Sequence, residues 1–196
     1  MNMLTVGLTI VGVLVLYAVG VFNTLQRLKT QIAASIQEIG NQLKRQASLI
    51  PNLEASVKSY MKHESGIFKM LTDARLSAEK AQSGNLNDIE TAIEKMQSFI
   101  PQIKVLVEDN PELKADATVG KFMDELTNTA DKLMYARRSL IDLTQSYNEK
   151  LVTFPSNIIA NMFGFHAEKG LLTPVSGAHV EVSSNETQDV KVTLDK

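Results

Sequence analysis

The sequence predicts an all-α protein: one N-terminal transmembrane helix followed by a long antiparallel up-and-down helical bundle with kinked helices. Three observations predict it. The chain opens with an uncharged apolar run, Leu4 to Phe22. Beyond that run, apolar residues recur at separations of three and four for most of the chain, the spacing of a helix face turned to a partner. Aromatic residues are 6% with no Trp, which fits helical bundles better than sandwiches or barrels.

The apolar run holds no charge, no amide side chain and no proline. About 20 such residues in a helix match a hydrocarbon core of about 30 Å, and a helix satisfies its own backbone hydrogen bonds in lipid. Two other readings of this run stay open. A cleaved secretory signal would use Ala18-Val19-Gly20 as its cleavage site, but Met1, Asn2 and Met3 lack the expected basic residue. A buried core helix would usually be shorter. A lipoprotein would need a cysteine, and the chain has none. Arg27 and Lys29 follow the run and no charged side chain precedes it, so the positive-inside rule places the body in the cytoplasm. The expected organisation is residues 1–3 outside, 4–22 across the membrane, 23–165 as helical bundle and 166–196 as a mobile C-terminal tail.

The chain has 196 residues, 20 Lys+Arg and 22 Asp+Glu, for a net charge of -2. That length suggests one soluble domain beyond the anchor. The charge gives no reason to expect nucleic acid, which asks for a concentrated basic face. The absence of cysteine excludes disulfides, thiolate metal sites and cysteine nucleophiles.

One apolar seam runs through Leu25, Ile32, Ile39, Gln46, Leu53, Tyr60, Ile67 and Ala74; the other runs through Ile36, Leu43, Ile50, Val57, Glu64, Leu71 and Ala78. As one helix to about Lys80 this would measure about 85 Å. Pro51 removes a hydrogen bond and crowds the preceding turn. The seam keeps its phase across it, so a kink within a continuing helix is expected; the alternative is a break near Ile50 with Asn52 starting a new helix. Gln46 and Glu64 occupy seam positions where apolar residues are expected. Such residues either fix register or oligomeric state or lie where the stripe meets the bundle's edge, and the edge reading is preferred.

Ser83-Gly84-Asn85 signals a turn. Asn87 is the expected N-cap of the next helix, with Glu90 in capping-box position. That helix carries Leu86, Ile89, Ile93, Met96, Ile100, Ile103 and Leu106, should kink at Pro101, and ends at Asp109-Asn110-Pro111. Glu112 to Thr118 reads as a polar connection. The last long helix runs from about Val119 to Phe154, with Phe122, Leu126, Thr129, Leu133, Ala136, Leu140, Leu143, Tyr147 and Leu151 on its seam. Pro155 stops it. Ser156 is the expected cap of a short helix bearing Ile158, Ile159, Met162 and Phe163, which Gly164 ends. His179 to Val182 and Asp189 to Val192 alternate as strands do, but a lone hairpin is marginal in water.

Sites for chemistry are missing. His63-Glu64 begins a zinc-protease motif, but Ile67 stands where the second histidine belongs. Di-iron bundles need Glu-x-x-His; Tyr60, Phe163 and Ser176 occupy the glutamate position before His63, His166 and His179. Ser77-Ala78-Glu79-Lys80 matches Ser-x-x-Lys, without the partner motifs of penicillin-binding enzymes. No catalytic, cofactor-binding or metal residue is therefore assigned, and no enzymatic activity is expected.

Leu43-Lys44-Arg45-Gln46-Ala47-Ser48-Leu49-Ile50-Pro51-Asn52-Leu53 belongs to a recognisable series of blocks. The series continues with Val57-Lys58-Ser59-Tyr60, His63-Glu64 and Ala74-Arg75. Then come Asn110-Pro111-Glu112-Leu113-Lys114-Ala115, Ala136-Arg137-Arg138 and Tyr147-Asn148. It ends with Phe154-Pro155-Ser156-Asn157, Ala160 and Phe163-Gly164-Phe165. In order and behind an N-terminal anchor, these resemble the LemA family from roughly Met1 to Phe165. Two departures stand out: the usual Trp near Ser35 is missing, and Ser139-Leu140 replaces a Tyr-Asn pair. The resemblance implies a bacterial membrane protein with a long antiparallel bundle, no established enzymatic activity and a poorly defined molecular function. Relatives are associated with membrane organelle formation and with membrane-protease neighbours. Read structurally, the Leu-Ile-Pro-Asn-Leu block specifies the kink, Phe-Pro the sharp helix end, and His63-Glu64 with Arg137-Arg138 an inter-helix polar contact.

The expected role is a non-enzymatic scaffold or adaptor at the bacterial inner membrane. It would act by helix-mediated self-association or by binding a membrane-protein partner, through seam residues that the bundle leaves uncovered. The alternative is a membrane-tethered sensor or regulator, in which a ligand near His63 and Arg137 shifts a kinked helix.

Overall fold

The computed structural model describes residues 2–58 and 65–171. All regular structure among the described residues is helical: α1 (Met3–Val57), α2 (Ser65–Ala81), α3 (Leu86–Asp109), α4 (Pro111–Ala115), α5 (Ala117–Val152) and α6 (Ser156–Met162).

α1 holds the arrangement together. Both expected seams are buried along it: Leu25, Ile32, Ile39, Leu43, Ile50, Leu53 and Val57 all lie in the core. The helix continues through Pro51 to Val57, so the expected continuation holds and the break near Ile50 does not occur. α5 covers most of the seam, packing antiparallel on α1: Arg45 pairs with Glu125 near one end and Ser35 meets Ser139 lower down. Its buried face is Val119, Leu126, Thr129, Leu133, Ala136, Leu140 and Tyr147, the expected period with Phe122, Leu143 and Leu151 at its margins.

The single helix expected to reach Lys80 is corrected. α2 turns back on α1, and its end at Ala81–Gly84 shares a groove with Ala33, Ile36, Gly40 and Lys44. Leu71, Ala74 and Ala78 are buried at the expected seam positions, but in a second helix facing the same core. Phase alone could not reveal the reversal, because both helices point their stripes at one axis. Residues 59–64, with Tyr60, His63 and Glu64, lie outside the described residues.

Gly84 takes φ +77, a conformation that suits a residue without Cβ, and closes the α2–α3 turn. Asn85, not Asn87, caps α3: its Oδ1 accepts the Asn87 N–H at 2.9 Å. Asn87 is already inside the first turn. α3 packs chiefly on α2 and passes through Pro101. Phe99 joins its buried face, while Ile100 and Leu106 are half-buried.

The polar connection after Asn110 is also corrected. Pro111, with φ preset for a first helical position, starts the one-turn α4, which plugs Leu113 fully into the core. Asp116 then caps α5 by accepting N–H bonds from Thr118 at 2.7 Å and Val119 at 3.4 Å. Those bonds hold its carboxyl below the ordinary carboxylate range.

Gln46 is not at the bundle's edge. It is 0% exposed, and neither amide atom has a hydrogen-bond partner among the described residues. A buried amide without partners costs stability that an apolar side chain of similar size does not. Gln46→Leu should therefore leave the fold intact and raise unfolding stability by about 1–2 kcal/mol. Leu43→Ala, one turn away, should lower it by about 3 kcal/mol. Chemical denaturation of the two variants checks the contrast.

Candidate functional site

The inter-helix polar contact expected between His63-Glu64 and Arg137-Arg138 is untested, because its first pair lies outside the described residues. Arg137 is buried on the core face of α5, whereas Arg138 is exposed and lies 3.9 Å from Asp142 one turn on. The richest local construction is elsewhere, at the lower end of the α1–α5 pair, and sequence reasoning largely missed it.

There α5 ends at Val152 and the chain reverses through a cis Phe154–Pro155 bond. Ser156 does not cap α6 as expected. Its hydroxyl donates back to the carbonyls of Lys150 at 2.7 Å and Thr153 at 2.8 Å. It thus satisfies a carbonyl that the end of α5 leaves without a helical partner. α6 then runs for seven residues and packs on both α1 and α5. Gly164, at φ +68, ends it as expected. Gly164 N–H bonds to Asn161 C=O at 3.2 Å and Phe165 N–H to Ala160 C=O at 3.0 Å, the paired pattern of a Schellman close.

The chain after Gly164 returns along α5 as a strap. Phe163 and Phe165 set their rings edge-on to Phe22 of α1, with centroids 4.9 and 5.6 Å away. Tyr147 Oη donates to the His166 carbonyl at 3.0 Å. Asn148 clasps Glu168 from both sides, donating to its carbonyl at 2.9 Å and accepting its N–H at 3.0 Å. Lys29 Nζ lies 3.2 Å from the Glu168 carboxylate. Gly170 comes so close to Thr144 that a Cβ would sit 3.1 Å from its methyl group, and Leu171 is buried. Residues 166–171 therefore depart from the mobile tail expected from His166; residues 172–196 lie outside the described residues. Burial is the main influence on the Tyr147 phenol and raises its pKa, helped by Glu168 and opposed by Lys29.

The recognised blocks now have physical tasks. Tyr147-Asn148 holds the strap, Phe154-Pro155-Ser156 closes α5, and Phe163-Gly164-Phe165 turns the chain onto Phe22. Asn110-Pro111 ends α3, its Asn110 amide donating to Leu106 C=O at 2.9 Å, and starts α4. The two departures from the pattern also meet: the Ser35 and Ser139 hydroxyls are 3.5 Å apart across α1 and α5.

This is the architecture of an all-α helical bundle in which one very long helix carries both an apolar head and one side of a packed body. A family model described as the LemA family matches residues 35–184. The chain belongs to the LemA family. The match begins beyond the apolar run and extends past Phe165, where the recognised blocks stop. A comparison with curated proteins returned no match.

Asn148→Ala removes both side-chain bonds to Glu168. At about 1 kcal/mol per bond the loss is about 2 kcal/mol, so hydrogen exchange at residues 166–171 should accelerate by about 30-fold. The amides of α3 should be unaffected. Tyr147→Phe should accelerate the same residues less, since one bond is lost and the ring remains.

Proposed function

We propose that this protein is a non-enzymatic single-pass membrane protein that works as a scaffold or adaptor. Its N-terminus lies outside the bacterial inner membrane and its bundle in the cytoplasm. One observation carries the reading. The first part of α1 is long and apolar enough to cross a bilayer, and no residue in its most apolar 18-residue window is buried by the rest of the chain. The same helix enters the core at Leu25. An exposed apolar helix of that length is costly in water and stable in lipid. Arg27 and Lys29, both exposed just past it, support the orientation.

The association surface must be restated from the packing. The α1 seam is covered by α5 and α2, so it does not offer itself to a partner. Away from the membrane-proximal end, the exposed large apolar side chains among the described residues are instead Leu76 on α2, Val105 on α3, and Met134 and Tyr135 on α5. Val105 borders a groove lined by Ile67, Pro101 and Leu106 at the end of the bundle farthest from the apolar head. A helix or extended segment of a membrane-protein partner, or a second copy, would engage these positions.

Photo-crosslinking in native membranes tests this, with the probe at Val105 or Tyr135 and a buried control at Gln46. Adducts at the exposed positions and none at Gln46 are expected. Adducts to the chain itself would make the protein a self-assembling scaffold, and adducts to one other membrane protein would make it an adaptor. Absence of adducts at both exposed positions contradicts the proposal.

A further inference from the structure

The segment from Val152 to Phe163 is the most exposed apolar part of the body. Val152 is 77% exposed, Phe154 75% and Met162 65%, with Ile158 and Phe163 also more than half open. No charged side chain occurs from Leu151 to Phe165. The body's other exposed large apolar residues, Leu76, Val105, Met134 and Tyr135, are spread over α2, α3 and α5. Five such side chains fall within twelve residues spanning the end of α5, one turn and one short helix, and apolar side chains clustered on a folded surface mark something that covers them.

Its position names the cover. Thr153, Phe154 and Pro155 line one groove with Tyr17, Gly20, Val21 and Thr24 of α1. Phe163 packs on Phe22. The patch therefore lies beside the last turns of the apolar head, within about one helical turn, about 5 Å, of where Leu4–Phe22 ends. Lys150 lines the same groove, and Lys29, paired with Glu168, follows Phe22 by two turns of α1 on the side of the folded body.

We propose that Val152–Phe163 is a membrane-interface foot. When α1 spans the bilayer, Val152, Phe154, Ile158, Met162 and Phe163 enter the boundary between headgroups and acyl chains, and the occupant of the patch is the bilayer that holds α1. The inference rests on the membrane-anchor reading above. A short helix is enough for this task, because amphipathic elements at this depth bury only their apolar face. The rings packed on Phe22 prevent the foot from swinging away, and the Asn148 clasp holds the chain that follows it. With a transmembrane helix and a lateral foot, the bundle is fixed in its angle to the membrane as well as tethered.

The chain has no cysteine, so single-cysteine variants label cleanly. Full-length Phe154→Cys, Ile158→Cys, Val13→Cys and Tyr135→Cys, each carrying a polarity-sensitive dye, are reconstituted in phosphatidylcholine/phosphatidylglycerol vesicles. Some of the lipids are brominated at shallow or deep acyl positions. The expected result is loss of emission at residues 154 and 158 that is greater with shallow than with deep bromines. Residue 13 should be quenched most by deep bromines, and residue 135 by neither. Quenching at 13 but none at 154 and 158 overturns the foot and leaves the anchor standing. No quenching at 13 overturns the anchor and the foot with it. Dyes at 154 and 158 that are shielded from water, unquenched by bromines and self-crosslinked assign the patch to a second copy, and also overturn the proposal.

Discussion

Everything in this molecule depends on one stripe of α1, the residues from Leu25 to Val57 that point at a common axis. Burying them requires a partner helix along nearly the whole length, and α5 is that partner. Because α5 must run the other way, its end falls beside Tyr17–Thr24, where α1 stops being a core helix. α2 and α3 then cover the upper part only, and near Phe22 α1 is flanked by α5 and the short α6. The stabilising term is apolar burial, at about 25 cal/mol per Å² removed from water.

The same helix serves two solvents. Above Leu25 one face is buried and the opposite face is polar; below Phe22 no face is buried and all faces are apolar. The helix can cross this change without a break because its hydrogen bonds are internal in either medium. The change takes place within about one turn, at Phe22, and the chain's most closely built contacts gather there. Phe163, Phe165, Tyr147, Asn148, Lys29 and Glu168 tie the end of the bundle to the point where α1 leaves it. A section with only the short α6 beside α1 and α5 has little core of its own, and the strap supplies cross-ties.

What could be read in advance followed from periodicity. Burial demands spacings of three and four, so the faces of α1, α3 and α5 were legible residue by residue. The misses share a cause: they concern how elements meet rather than which face is apolar. The reversal between α1 and α2 left the seam in phase. α4 hides its one buried residue, Leu113, in a charged setting. Gln46 is polar in a position that geometry alone buries. Ser156 and Asn148 bond backbone groups of residues 150, 153 and 168, and nothing in local composition marks those partners. The recognised blocks did point at these places, but only the packing shows that their work is to close helix ends and hold a strap.

The central claim is that α1 is a single rigid helix from its apolar head into the bundle core. Spin labels at Leu16 and Ser48, both exposed, measure it directly in full-length protein in lipid nanodiscs by pulsed dipolar spectroscopy. Thirty-two residues at 1.5 Å each predict a narrow distribution centred at about 48 Å. A broad distribution, or a centre many ångströms shorter, would mean that the helix breaks near Phe22, and the account of one element joining membrane and bundle would be wrong.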